Sequence, residues 1–487
     1  MRVKYSAITG DDTSEQHPTA HNAADSKIPI QHFTQHGSSG GNGAVSPDLQ
    51  YHDGVEDLPP QEQQVYRVYK SRYFGLAQLV LLNIIVSWDW LTFAAVSSTS
   101  AAYFNVSETA ISWLCTAFLF AFLPMAPLVI WILNKGGPKP SILAASALAL
   151  LGNWIRYAGT RASQPKFSVV MFGQILIGFA QPFVLAAPTR YSNLWFSDSR
   201  RVSATAIASL ANPFGGALGQ LIGPLWATSE SGMLSMVLYT SILSTIATLP
   251  ALSIPKSPPT PPSALAAAPK LNLREALHHL PRNTSFYLLL LPFSVFVGLF
   301  NSTSSLLNII LSPYAFNETQ AGIAGGLLIV VGLLASAIIS PLVDRTKSYL
   351  PTIKILVPLT AAAYLALVFI PATRSAIGVY VVCGILGATS FSLLPCTLEY
   401  LVLVTHPVSP ELTSTMCWCG GQLLGGIFIV VMNSLTGGWA GEPDGSMTRA
   451  LVFQAVVAWV VVPLPMWLGR GKGEMQACGG RNEPEVS

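Results

Sequence analysis

The stretch FGLAQLVLLNIIVSWDWLTFAAVSST, residues 74–99, carries a single charge, Asp89, in 26 positions. At 1.5 Å rise per residue a helix of that length reaches about 39 Å, more than the ~30 Å of a bilayer's hydrocarbon core. The apolar residues do not alternate with period two, so a tilted membrane strand of about ten residues is not the expected form. In lipid an unpaired peptide group is costly, and a helix pairs its own. The segment therefore reads as a membrane-spanning helix.

Blocks of the same kind recur. The first six spans are expected at 74–99, 107–133, 139–160, 167–188, 202–227 and 233–254, and a second six at 284–311, 319–343, 351–371, 375–402, 411–433 and 447–468. The composition agrees: of 487 residues 51% are hydrophobic and 10% charged, too few charges to cover a water-exposed surface. The class is an all-α membrane protein with 12 transmembrane helices. Residues 1–65 are polar and read as a disordered cytoplasmic tail whose histidines lack metal-ligand spacing. Residues 66–254 and 284–468 form two six-helix bundles. The linker 255–283 opens with prolines and carries an amphipathic segment, Leu271, Leu273, Leu277 and Leu280, suited to the inner membrane surface. Residues 469–487 read as a second cytoplasmic tail.

Several functions are disfavoured at this stage. The net charge of +3 is spread over loop ends, which gives no footprint for nucleic acid. No Gly-rich loop ends in Lys and Ser or Thr, as an ATP-driven pump would need. No Ser–His or paired-acid set suggests an enzyme, and no cofactor or metal site is expected. Most of the cysteines fall in apolar blocks, where they act as small packing residues.

Displacing the chain by about 210 residues pairs its halves. Tyr103, Asn105, Glu108 and Thr109 recur as Tyr314, Asn317, Glu318 and Thr319; Asn134 and Lys135 recur as Asp344 and Arg345; Asn212, Gly215 and Gly216 recur as Gln422, Gly425 and Gly426. A parallel repeat of two six-helix units places a solute site near the midplane between them, exposed to either side by rocking. Basic residues fix the orientation: with both tails inside, the inner loops hold Arg190, Arg200, Arg201, Lys256, Arg345 and Lys347 among others, leaving Arg161, Lys166, Arg374 and Arg449 outside. Glycosylation sequons at Asn105 and Asn317 then fall on outer loops.

Polar residues inside the spans are the candidate ligands, because a polar stripe facing lipid would go unsatisfied. In the first span Asn83, Ser87, Trp90 and Ala94 share a face, and in the seventh Asn301, Ser305, Asn308 and Ser312 do so. Trp90 and Asn301 are equivalent under the repeat and are expected to line the cavity; interhelical hydrogen bonding is the plainer alternative. Asn212, Gln181 and Gln422 complete the candidate ligand set. Asp89, the one acid well inside the first six spans, could neutralise a cationic solute, carry a proton or face a neighbouring helix. Glu399 is its expected counterpart. Asp344, Arg345 and Lys347, with Arg201, read as a gate in which the acid holds basic residues of a neighbouring helix in one state and releases them in the other.

The pattern resembles the feline leukaemia virus subgroup C receptor-related family of major facilitator carriers, also called solute carrier family forty-nine. The resemblance covers about residues 70–468 and rests on Ala180, Gln181, Pro182 and Phe183; Trp195, Phe196 and Arg201; Leu306, Leu307 and Asn308; Asp344, Thr346, Lys347 and Tyr349; and Pro395, Glu399, Pro407 and Gln422. Trp90 to Phe93, and Asn212 followed by Pro213, look more like the branch called major facilitator superfamily domain-containing protein seven. The resemblance implies the major facilitator fold. It also implies that Trp90 and Gln422 fall where choline- and ethanolamine-moving members place a Trp and a Gln, with Pro213 where they place a second Gln. The expected function is facilitative or secondary-active transport of a small organic solute, first an amine such as choline or ethanolamine. Haem or vitamin-like solutes, and a non-transporting receptor on the same scaffold, are the alternatives. The expected partners are that solute, the lipid bilayer and protons as a candidate coupling ion. The protein is expected as a monomer in the plasma membrane, with a vacuolar or other organelle membrane as the alternative.

Overall fold

A computed structural model describes residues 68–260, 280, 283–405, 408, 410–437 and 441–469. The tail 1–65, nearly all of 469–487 and the amphipathic run 271–279 lie outside these residues. Among the described residues there is no strand. The first bundle consists of α1 (Ser71–Leu91), α2 (Ser97–Phe104), α3 (Glu108–Gly136), α4 (Pro138–Arg161), α5 (Phe167–Trp195), α6 (Asp198–Trp226) and α7 (Met233–Thr248). The second consists of α8 (Thr284–Leu311), α9 (Glu318–Thr346), α10 (Tyr349–Phe369), α11 (Ala376–Thr405), α12 (Pro410–Ser434), α13 (Thr448–Val460) and the single turn α14 (Pro463–Met466).

Helix ends follow side-chain chemistry. The Ser107 hydroxyl accepts from the Ala110 amide to start α3, and Asn283 does the same for α8. Asn317 and Gln320 form a reciprocal capping box at the start of α9. Two spans differ from expectation. The first is broken: α1 stops at Leu91 and the chain turns through 92–96 before α2. The last shortens to α13 and α14 because Pro463 and Pro465 lack the amide to continue it. Among the described residues ten spans are long and apolar enough to cross a bilayer unaided; α4 and α6 are not among them. Their length suffices, but α4 carries Asn153 and Arg156 and α6 carries Asn212 and Gln220, all turned into the protein.

The same helix pairing appears twice. In the first bundle α1 lies on α5 and α6, α3 on α5, and α4 on α5 and α7; in the second α8 lies on α11 and α12, α9 on α11, and α10 on α11 and α13. The bundles meet along α3–α12 and α6–α9. Gly215 allows the α1–α6 crossing, since a Cβ there would collide with the backbone of Ile84.

Both seams are closed toward the end that carries Asn105 and Asn317, here the sequon end. Gln220 of α6 donates to the Ser304 carbonyl at 2.7 Å, and Asn433 of α12 donates to the Ser112 hydroxyl at 2.7 Å. Toward the opposite, basic end Ile207, Leu210 and Phe214 of α6 and Leu334, Ile338 and Leu342 of α9 are exposed.

Candidate functional site

Trp90 is the next-to-last residue of α1, and its indole packs nearly parallel to Phe118 of α3, with centroids 6.3 Å apart. Its ring nitrogen is buried without a partner. On the second bundle Asn301 donates to the Gln422 side-chain oxygen at 3.1 Å, joining α8 to α12. The helix α3 sets the two half-sites side by side: Phe118 meets Trp90, and its neighbour Leu119 reaches Gly425 beside Asn301. Trp90, Asn301 and Gln422 are 6%, 5% and 4% exposed, so a solute-sized opening requires the bundles to shift. Gln181 of α5 is also buried, with its side-chain oxygen unpartnered.

Other candidates serve different contacts. Asn83 donates to the carbonyls of Leu79 (2.9 Å) and Val184 (3.2 Å), while Asn212 donates to the Asn83 carbonyl at 3.4 Å. These amides tie α1 to α5 and α6. Asn308 lies nearer the sequon end. There it donates to Ser97 (3.0 Å) and to Glu318 (3.3 Å), and Glu318 also accepts from the Thr99 amide (2.9 Å) and hydroxyl (2.7 Å). A carboxylate on α9 thus holds α2 across the bundle boundary. In the sequence Glu318 stands out only as a repeat marker and as part of a sequon, because Thr99, its partner on the other bundle, is 219 residues away.

Asp89 turns away from Trp90. It is fully buried against Arg156 of α4, carboxylate to guanidinium 3.5 Å, and accepts from Asn153 at 2.5 Å. Arg156, the buried partner of Asp89, is a residue that the sequence reading missed. The available signal was that a lone base in the third span needs a lone acid to pair with. Glu399 does not form an equivalent centre. It lies within electrostatic range of Asp344 and Lys347 near the basic end. The place equivalent to Asp89 in the second bundle, next to Asn301, holds Phe300, which packs edge-on against Phe391 of α11.

At the basic end, Asp344 accepts from the Tyr349 hydroxyl at 2.6 Å. Arg345 and Lys347 are exposed, and Lys347 ends α9 in the left-handed conformation, φ 53°. Arg201 lies in the first turn of α6. Asn105 and Asn317 are both exposed at the sequon end; Asn105 ends α2 with φ 52°.

Residues 79–426 match the sequence model of the Major Facilitator Superfamily. Solute carrier family 49 member A3 of Danio rerio is 31% identical over 410 residues, which covers 82% of this chain and 85% of that protein. The choline/ethanolamine transporter FLVCR2 of Homo sapiens is 25% identical over 399 residues, 79% of this chain and 76% of that protein. Among solved structures, a bacterial homologue of the human lysosomal transporter Spinster, inward-facing and unoccupied, superposes with TM-score 0.64 at 16% identity, over 82% of this chain and 97% of that one.

Proposed function

The chain belongs to the Major Facilitator Superfamily and within it to solute carrier family 49, a transporter and not an enzyme, and we propose that its solute is a small amine of the choline or ethanolamine kind. The observation that carries this reading is that neighbouring residues of α3 meet Trp90 of one bundle and the Asn301–Gln422 pair of the other. One face of the indole is taken by Phe118; the other can attract a cation by about 0.5–2 kcal/mol. The Asn301–Gln422 amides supply donors and acceptors for a hydroxyl or ammonium without the cost of a buried charge. Because Asp89 is already balanced by Arg156, the solute needs no carboxylate partner there. The names of relatives such as FLVCR2 support the same class.

The transport cycle follows from the two ends. With both tails cytoplasmic, the Glu318 contacts close the outer side while Trp90, Asn301 and Gln422 stay buried, and we read the arrangement as an outward-closed state of an alternating-access carrier. Asp344, with Arg345, Lys347 and Arg201, would re-form the inner closure in the other state, Asp344 leaving Tyr349 for a basic partner. In this reading the protein is a monomeric uniporter of the plasma membrane and Asp89 is not a proton carrier. The deciding experiment is uptake of radiolabelled choline by proteoliposomes, with vitamins and porphyrins as competitors. Saturable uptake above empty vesicles, blocked by ethanolamine and not by porphyrin, is the expected result. Binding without accumulation would mean a receptor instead.

A further inference from the structure

The break after α1 creates a problem that the neighbouring helices solve. A helix that stops inside the packed protein leaves its last carbonyls without intrahelical donors, and burial keeps out the water that would replace them. Here side chains, with one backbone amide, provide donors. The Trp88 carbonyl accepts from the Thr92 hydroxyl (3.0 Å), the Trp90 carbonyl from the Cys115 thiol (3.3 Å), and the Leu91 carbonyl from the Ala95 amide (3.1 Å). The Asp89 carbonyl accepts twice, from Arg156 and from Gln174, both at 3.2 Å. Arg156 also donates to the Gln174 side-chain oxygen at 2.9 Å, and its guanidinium lies 5.1 Å from the Phe93 ring centroid. A close crossing of Gly152 and Gly173, where a Cβ on either would strike the other's carbonyl, brings α4 and α5 near enough for both donors to reach one oxygen.

A cation at a helix C-terminus opposes the negative end of the helix dipole. Arg156 is such a cation, and the Asp89 carboxylate is its counterion. The second bundle provides an internal comparison. There α8 runs unbroken to Leu311, and the residue before Asn301, equivalent to Asp89, is Phe300, packed edge-on against Phe391 of α11. Where the helix is continuous, the equivalent place therefore carries no charge. A buried ion pair is often no more stabilising than apolar side chains of the same shape, so stability alone does not account for this one. The charge coincides with the break.

The break also divides two tasks: α1 ends in Trp90, and α2 begins the segment whose Ser97 and Thr99 engage Asn308 and Glu318. We infer that Arg156 and Asp89 are positioning residues that clamp the end of α1 to α4 and α5, so that α2 can swing with the gate while Trp90 stays in place. Residues 92–96 are then the hinge.

The test is peptide-resolved hydrogen–deuterium exchange on the purified full-length protein, which does not depend on the solute. Arg156→Lys keeps the charge but not the fork that serves the carbonyl, Gln174 and the carboxylate together. It should speed exchange across 92–97 by about tenfold, the factor implied by loss of one charge-assisted hydrogen bond, with α4 and α5 protected as in wild type. The double variant Asp89→Asn with Arg156→Gln leaves no unpaired charge and should show the same local change. In proteoliposomes both should raise the KM for radiolabelled choline about tenfold with a smaller change in maximal rate. That arm rests on the proposed solute; absent choline uptake in wild type would count against the solute and leave the exchange arm to decide. Wild-type protection at 92–97 in either variant, or equal loss across the whole first bundle, overturns the clamp. So does failure of both variants to reach the membrane folded, which would mark the pair as a stability element only.

Discussion

Removing the Glu318 carboxylate should unlatch the sequon end. In the structure it accepts from the Thr99 amide at 2.9 Å, the Thr99 hydroxyl at 2.7 Å and Asn308 at 3.3 Å. Hydrogen bonds to a charged group contribute about 1.5–3 kcal/mol each. Glu318 is half-buried, so the lower figure applies to the two short contacts and the long one adds little. Glu318→Ala then disfavours the closed state by about 3 kcal/mol, on the order of a hundredfold in the closed-to-open ratio. Glu318→Gln keeps one acceptor oxygen and should fall between. The assay is double electron–electron resonance between spin labels at Ala102→Cys and Thr319→Cys, both exposed and flanking the latch on opposite bundles. Wild type should give one short distance, Glu318→Ala a population shifted to longer distances, and Glu318→Gln a mixture. An unchanged distribution in Glu318→Ala would refute the latch, because no state loses contacts of this size without a population shift.

Trp90→Ala and Gln422→Ala should each raise the KM for choline about tenfold at unchanged surface expression, the second because it leaves the Asn301 amide unpaired; wild-type kinetics in both would remove them from the site. Uptake should be insensitive to an inward pH gradient, since Asp89 is sealed against Arg156; gradient-driven uptake that disappears in Asp89→Asn would establish proton coupling. Asn105→Gln and Asn317→Gln should each remove one glycan on a gel from cells that glycosylate the outer face. Asn317→Gln should also lower stability by about 1 kcal/mol, because Asn317 caps α9. A mobility unchanged by either substitution would contradict the assigned sidedness.

The helical class, the two sets of six spans and the parallel repeat were legible in the sequence, because lipid imposes them residue by residue. A block of more than 20 apolar residues has to span as a helix, and equivalence at a shift of about 210 relates two bundles of like helix pairing. The Asn301–Gln422 hydrogen bond does not follow from that symmetry, since Asn212, the counterpart of Gln422, donates to the Asn83 carbonyl and not to Trp90. The break in α1 was not legible, since residues 92–96 are as apolar as their neighbours and contain neither Gly nor Pro. Where the helix ends, its carbonyls are met by donors from α3, α4 and α5.

The same limit explains Asp89 and Glu318. Periodicity gives the direction of a side chain around its own helix but not which helix lies on that side. Asp89 could therefore be read toward a solute, a proton or a neighbour until the Gly152–Gly173 crossing put Arg156 beside it. Glu318 meets Thr99 only because one bundle closes on the other. The sequence by itself determined which segments cross the membrane and how the halves correspond, through burial in lipid and backbone self-pairing. The tertiary structure decided which charges are paired and which end is closed, because those depend on contacts between helices far apart in the chain.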